Sequence, residues 1–235
     1  MAFKKSDFIE LEFTGKFKNG EIFDSNIKED LETLHLGHGH PIEARPFILC
    51  LGEQMFLKSI EDFLIGKDIG EYKVELSPEK AFGNRSPNLI MRIPMKTFAE
   101  QKINPTPGDV FNFDGRIAKI LTVSGGRIMA DFNNPLAGKE VIYKLNVKRR
   151  VDDLNEKIKA MIEFLFKRDL NFEIKDNKII VDIEEPLAKF AEMFKDKFKE
   201  LFKLALEVRA IKSQKKEKPI LDAEKLDKKY NNPSD

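Results

Sequence analysis

Tryptophan is missing from this chain, cysteine occurs once and histidine three times in 235 residues. A single cysteine, Cys50, excludes an internal disulfide framework and fits a reducing compartment. No stretch approaches the roughly 18 apolar residues that a spanning helix needs. The opening Met1-Ala-Phe-Lys-Lys-Ser-Asp has no apolar signal core, so a cytoplasmic location and no membrane partner are expected. Excess charge is missing too: 41 Lys and Arg face 40 Asp and Glu, which argues against a protein built mainly to coat nucleic acid. No GxSxG, GxxxxGK or HExxH arrangement stands out, so the usual signatures of a nucleophile elbow, a phosphate loop and a zincin helix are absent. The three histidines, His35, His38 and His40, are spaced HxxHxH. Neutral imidazole suits zinc, copper or nickel. No Cys or acidic ligand completes a normal ligand spacing, however, and neither a metal nor another cofactor is expected.

What the chain does have is phenylalanine, 20 of it, in a composition that is 41% hydrophobic, and 235 residues suffice for two or three modules around a sizeable core. Ile9, Leu11 and Phe13 alternate with Glu10 and Glu12, and Asn19-Gly20 turns the chain back into Glu21 to Phe23, which predicts the first two strands of an antiparallel sheet. Residues 26 to 45 read as irregular, and residues 46 to 51 as an apolar strand. Ser59 is placed to cap a helix with Glu61 and Asp62 in its first turn, Ile60, Phe63 and Leu64 on one face, and Gly66 as its left-handed stop. Tyr72, Val74 and Leu76 then alternate with Lys73 and Glu75, the period of a half-buried strand lying over that helix.

After Gly83 the pattern breaks. Pro87, Pro94, Pro105 and Pro107 punctuate short apolar runs, and Val110 to Phe113, Ile117 to Val123 and Arg127 to Phe132 read as three strands, the last two joined by Ser124-Gly125-Gly126. Val141, Tyr143, Leu145 and Val147 alternate again and return the chain to the first sheet. Asp153 with Glu156 resembles a capping box ahead of a helix carrying Leu154, Ile158, Met161, Ile162 and Leu165. A hairpin follows over 170 to 174 and 179 to 183, then one long helix from Pro186 to Leu206 striped with Leu187, Phe190, Phe194, Phe198, Leu201, Phe202 and Ala205, then a strand over Val208 to Ile211. The expected class is α+β. The expected domains are residues 1–86 with 135–150, an insert at 87–134, a C-terminal α+β module at 151–212 and a charged tail at 213–235.

The run LGEQMFLKSIEDFLIGKDIGEYKVELSPEKAFG, from Leu51 to Gly83, resembles the central stretch of FKBP-type peptidyl-prolyl isomerases. Ile9 to Gly15 with Asn19 to Ser25 resembles the first strand and the Phe-Asp-Ser element of that family. Asn133-Asn134-Pro135-Leu136-Ala137-Gly138-Lys139, leading into Val141 to Val147, is similar to its insert-bearing branch, typified by SlyD and the long archaeal members. The likeness spans about 150 residues in the family's order, in line with the one or two domains such a length holds. It implies an antiparallel half-barrel around a short helix, interrupted by a small β-rich insert-in-flap chaperone domain.

The resemblance also implies a site. Phe13 stands where the family usually has a tyrosine, Phe23 and Asp24 fall on its Phe-Asp pair, Phe47 on the aromatic of the strand before the helix, and Phe56 and Leu57 on the element whose backbone bonds ligand. Ile60 takes the floor, Phe82 the tyrosine before a glycine, and Tyr143 the aromatic of the last strand. Lys58-Ser59 and Gln54-Met55 depart from the family's Gly-Pro and Gly-Gln, and Phe13 and Phe82 lack its hydroxyls. Each apolar member, taken singly, reads more readily as core than as site. Asp24 beside Phe23 does not, because a carboxylate there needs partners or a task. In the insert, Leu89, Ile90, Met91, Ile93, Met95 and Phe98 are candidate contacts for unfolded chains, or else the insert's own core. The expected activity is peptidyl-prolyl isomerisation with chaperoning of unfolded polypeptides; a non-catalytic holdase is the alternative. A homodimer through the striped C-terminal helix is a further expectation.

Overall fold

A computed structural model describes residues 1–34 and 44–211; the three histidines and the charged tail lie outside the described residues. The chain divides into two compact units, one of Met1–Leu165 and one from Phe166 on. All but the last residue of the helix after residue 151 therefore belongs with the first unit, where the sequence reading assigned it to the third module.

The first unit is organised by one long strand, β1 (Phe8–Phe17). Along one edge it pairs antiparallel with β2 (Ile22–Ser25) and, further back, with β3 (Phe47–Cys50). Between these two strands comes a helix the sequence reading did not expect, α1 (Lys28–Leu34). It is seven residues long and buries one apolar side chain, Leu31, so no amphipathic period develops to reveal it. The short helix α2 (Lys58–Leu64) buries Ile60 and Leu64 completely, and Gly66 beyond it has φ +87°, the left-handed stop expected of it. The cap is different. Leu57, not Ser59, occupies the N-cap position and makes no side-chain capping bond; Ser59 lies within the helix. Strand β4 (Gly70–Leu76) follows.

The chain then leaves for a second sheet: β5 (Ile90–Pro94), helix α3 (Met95–Ala99), β6 (Val110–Phe113), β7 (Arg116–Ser124) and β8 (Arg127–Asp131), in the order β5-β8-β7-β6. This sheet has its own core of Phe98, Ala118, Ile120, Ile128 and Ala130, with Ile93, Met95 and Phe111 packed against it. Strand β9 (Val141–Arg150) returns to the first sheet and lies between β1 and β4, giving the order β2-β1-β9-β4 with β3 also on β1. Helix α4 (Leu154–Phe166) starts where expected, with Asp153 Oδ1 accepting the Glu156 N–H at 2.9 Å.

The second unit is a three-stranded sheet, β10 (Phe172–Lys175), β11 (Lys178–Glu184) and β12 (Ala205–Ile211), with β10 antiparallel and β12 parallel to β11. A parallel neighbour needs a crossover, supplied by α5 (Glu185–Glu192) and α6 (Lys195–Phe202). The single long helix expected here is thus two. At the break the amides of Met193 and Phe194 bond three residues back, to Phe190 and Ala191, a tightening that ends α5 before α6 begins. Neither glycine nor proline marks it. Phe198 and Phe202 are buried and Leu187, Phe194 and Leu201 half-buried, so that of the expected stripe's large side chains Phe190 alone is exposed, with Met193 exposed beside it.

Candidate functional site

Consecutive residues of a regular strand point to opposite faces of the sheet. Phe23 and Asp24 escape this rule because β2 is bulged. Asp24 pairs with Gly15 and Ile22 with Lys16, which leaves Phe23 without a partner across β1. A bulge re-aims side chains, and both residues end up against Tyr143: the Phe23 ring at 5.7 Å in an edge-to-face contact, and Asp24 close enough for its charge to act on the phenol. Gly15, which sits opposite Tyr143 on β9, makes room for this. A Cβ on Gly15 would lie 2.8 Å from the Phe23 ring and 3.0 Å from that of Tyr143.

The other rings join from three more elements. Phe13 touches Phe47 at 5.9 Å, Phe56 at 4.7 Å and Tyr143 at 6.2 Å; Phe56 touches Phe47 at 5.6 Å and Tyr143 at 5.5 Å; Phe82 closes on Phe23 at 5.8 Å. All six aromatic residues singled out from the sequence therefore form one continuous cluster, most contacts being edge-to-face or tilted as ring quadrupoles favour. Phe13 and Tyr143 are buried within it, and Phe23, Phe47, Phe56 and Phe82 are half-buried. Ile60 is fully buried, and Leu57 is half-buried at the start of α2.

Glu61 holds this arrangement in place, a role that its position in the helix did not suggest. Its carboxylate is buried at 1% exposure and accepts three backbone N–H groups of the preceding loop, from Gly52 at 2.8 Å, Gln54 at 3.1 Å and Phe56 at 2.8 Å. Charge-assisted bonds of this kind are roughly twice as strong as neutral ones, and they fix the loop that presents Phe56 and Leu57. The Leu57 carbonyl accepts the N–H groups of Ile60 and Glu61, while its own N–H has no acceptor among the described residues. Sequence reasoning took Glu61 as a charge favouring the helix N-terminus. The missed signal was its place three residues before the buried Leu64, on the helix's apolar face.

A second polar set secures Phe13. Strands β2 and β3 cover β1 from 14 to 16 and from 8 to 11, which leaves a gap in the ladder. Asn26 fills it: Oδ1 accepts the Phe13 N–H at 2.7 Å and Nδ2 donates to the Leu11 carbonyl at 2.8 Å. Ser25 donates to the Phe13 carbonyl at 2.9 Å, and Asp30 of α1 bonds both Ser25 and Thr14.

Two polar groups stand at the ring cluster, the Asp24 carboxyl and the Tyr143 phenol. Burial raises the Asp24 carboxyl above its ordinary value, offset in part by a bond from backbone at Ser25. Burial first, and the Asp24 charge second, raise the Tyr143 phenol far enough that it stays protonated. Among the described residues no group of three His, Cys, Asp or Glu could hold a metal ion, and no helix is long and apolar enough to cross a membrane.

The candidate contacts of the inserted sheet do not form one exposed strip. Phe98 is 4% exposed in the core, with Ile93 and Met95 packed against it; Leu89 and Ile90 are half-buried, and Met91 alone is exposed. These positions are explained by that sheet's need for a core of its own. Its exposed apolar residues include Val110, Ile117 and Leu121, none of which was singled out from the sequence.

Residues 1–104 match the family model described as FKBP-type peptidyl-prolyl cis-trans isomerase, and residues 92–136 match the one described as FKBP26, IF domain. The chain is 30% identical over 146 residues to a short-type peptidyl-prolyl cis-trans isomerase of Methanocaldococcus jannaschii, covering 62% of this chain and 92% of that one. It is likewise 30% identical over 146 residues to the FKBP-type isomerase SlyD of Aeromonas hydrophila, covering 60% of each. It is 31% identical over 126 residues to a 16 kDa FKBP-type isomerase of Escherichia coli, covering 49% of this chain and 84% of the relative.

Proposed function

The chain belongs to the FKBP-type peptidyl-prolyl cis-trans isomerase family, and we propose that it turns X-Pro bonds at the aromatic cluster while the inserted sheet holds the unfolded polypeptide that carries them. Rotation about a peptide bond meets a barrier of about 18 to 20 kcal/mol, because the amide loses its resonance as it twists. No covalent bond need break. A site that strips water from the carbonyl and fits the twisted proline better than the planar one lowers that barrier. Phe13, Phe23, Phe47, Phe56, Phe82 and Tyr143 form the apolar wall, and Ile60 its floor. The Leu57 N–H, which has no acceptor among the described residues, is the donor for a substrate carbonyl, and Asp24 faces the substrate backbone.

The observation that carries this reading is the joining of six aromatic residues from four strands and two loops into one cluster that includes Tyr143, on whose phenol the half-buried Asp24 carboxylate acts. A holding role for the insert is supported by its match to the IF-domain model and by the exposed Met91, Val110, Ile117 and Leu121. We read the chain as a long archaeal-type member, since it extends beyond the residues shared with the relatives by a unit with its own sheet. For a homodimer the exposed Phe190 and Met193 are the remaining support, and a concentration-independent monomer mass in light scattering removes it. Isomerisation of a short X-Pro peptide, measured beside refolding of a proline-limited protein, tests the whole. Deleting residues 87–134 should spare the first and depress the second. A chain that slows aggregation but accelerates neither is a holdase.

A further inference from the structure

The inserted sheet is joined to the first sheet by two connecting segments of chain, and four successive links run between them, two through backbone alone and two through side chains. At the base, the Gly138 N–H donates to the Gly83 carbonyl at 2.8 Å. Above it, the Arg85 side chain runs over Gly138, whose missing Cβ would come within 3.0 Å of the Arg85 Cγ, and ends in an ion pair with Asp131. Next, Asn133 imitates a strand: its Oδ1 accepts the Ser86 N–H at 2.8 Å and its Nδ2 donates to the Ser86 carbonyl at 3.1 Å. At the top, the Phe132 N–H donates to the Leu89 carbonyl at 2.9 Å.

The links interlock. Asp131 Oδ1 accepts the Asn133 backbone N–H at 2.9 Å and its Nδ2 at 2.7 Å, while Oδ2 receives Arg85. Asp131 and Asn133 are 6% and 7% exposed. Arg85 is half exposed, but the buried Asp131 and Asn133 specify one geometry, because a tilt leaves their polar groups unpaired and out of reach of water. A tether meant only to swing would need none of these groups.

We propose that Arg85, Asp131 and Asn133 are positioning residues that hold the inserted sheet in one fixed orientation on the first, so that a chain held by the insert delivers its proline to the aromatic cluster. This rests on the two-site reading above. A held chain gains effective concentration at the second site only when the geometry permits both contacts at once. Loosening the neck therefore leaves chemistry on a short peptide intact and removes the advantage of a long substrate.

The test uses the full chain with spin labels at Glu71→Cys on β4 and Lys119→Cys on β7, carrying Asn133→Ala or, as the milder change, Arg85→Met. In both, the distribution of distances between the labels should broaden relative to the parent. The kcat/KM for an X-Pro peptide should stay within about twofold, while that for proline-limited refolding falls about tenfold through KM. Unchanged distances in both variants overturn the proposal. So does an equal fall on peptide and protein, which would mean general loosening. If the parent itself shows no preference for the protein substrate, the two-site reading fails whatever the distances do, and broadening would still establish the clamp.

Discussion

The molecule contains two clusters of phenylalanine in its first unit, and only one of them reads as a site. In the inserted sheet, Phe98 touches Phe111 at 5.3 Å and Phe113 at 5.8 Å, and Phe113 touches Phe132 at 5.5 Å, geometry much like that around Phe13. Exposure does not separate the two clusters either, since each has one or two buried rings among half-buried ones. What differs is the company. The rings around Tyr143 lie next to a carboxylate raised by desolvation that acts on the Tyr143 phenol, and next to a backbone N–H with no acceptor among the described residues, whereas the insert's rings close over Ala118, Ile120, Ile128 and Ala130. Aromatic packing is what any core does. A polar group kept at partial desolvation has a cost that stability alone does not explain.

Mutations should separate these clusters. The largest effect is expected from Glu61→Ala, which strands three partly buried N–H groups: about 3 kcal/mol or more in urea unfolding, with peptide isomerisation lost as Phe56 and Leu57 come loose. Next, Phe98→Ala and Phe13→Ala should each cost about 3 to 4 kcal/mol by creating a cavity. Only Phe13→Ala should also abolish turnover of a short X-Pro peptide; equal losses would erase the distinction drawn here. The smallest change in stability is expected from Met193→Ser, at 76% exposure, within about 0.5 kcal/mol as for most exposed positions. Its informative readout is the mass in light scattering, which falls from dimer to monomer if that face pairs.

Acidity sharpens the comparison further. The Asp24 carboxyl is raised by burial, so the folded state holds its proton more tightly than the unfolded chain. Its ionised form therefore weighs against folding above the raised value, and this penalty is relieved as pH falls through that value towards the ordinary carboxylate range. Activity that depends on the charge should move the other way, declining on acidification at a pH above the ordinary carboxylate range. A pH profile of peptide turnover in the parent and in Asp24→Asn checks both signs, since the variant should lack that inflection.

Much of this was legible before any coordinates. The alternation of Ile9, Leu11 and Phe13, of Tyr72, Val74 and Leu76, and of Val141 to Val147 marked strands that pair in one sheet, because a half-buried strand must show a period of two. The six aromatic members of the cluster were found by resemblance, and their singular geometry, a bulge that faces two neighbours the same way, leaves no local mark in sequence. The buried acid at Glu61 and the ladder surrogate Asn26 were not found, since each acts on backbone groups that only the tertiary fold brings near. The break between α5 and α6 was missed because the phenylalanines keep helical spacing straight through Met193 and Phe194. The insert's Phe98, Ile93 and Met95 stood open between client contacts and core because composition cannot tell a small module's surface from its core.

The most direct test of the central claim is the rate of cis-trans exchange in one short X-Pro peptide, followed by NMR at neutral pH with the parent chain and with Asp24→Asn side by side. The parent should accelerate exchange, and Asp24→Asn, folded and at least as stable because it no longer carries a desolvated charge, should lose most of that acceleration. An unchanged rate in the variant would contradict the assignment of the site, and no acceleration by the parent would contradict catalysis itself.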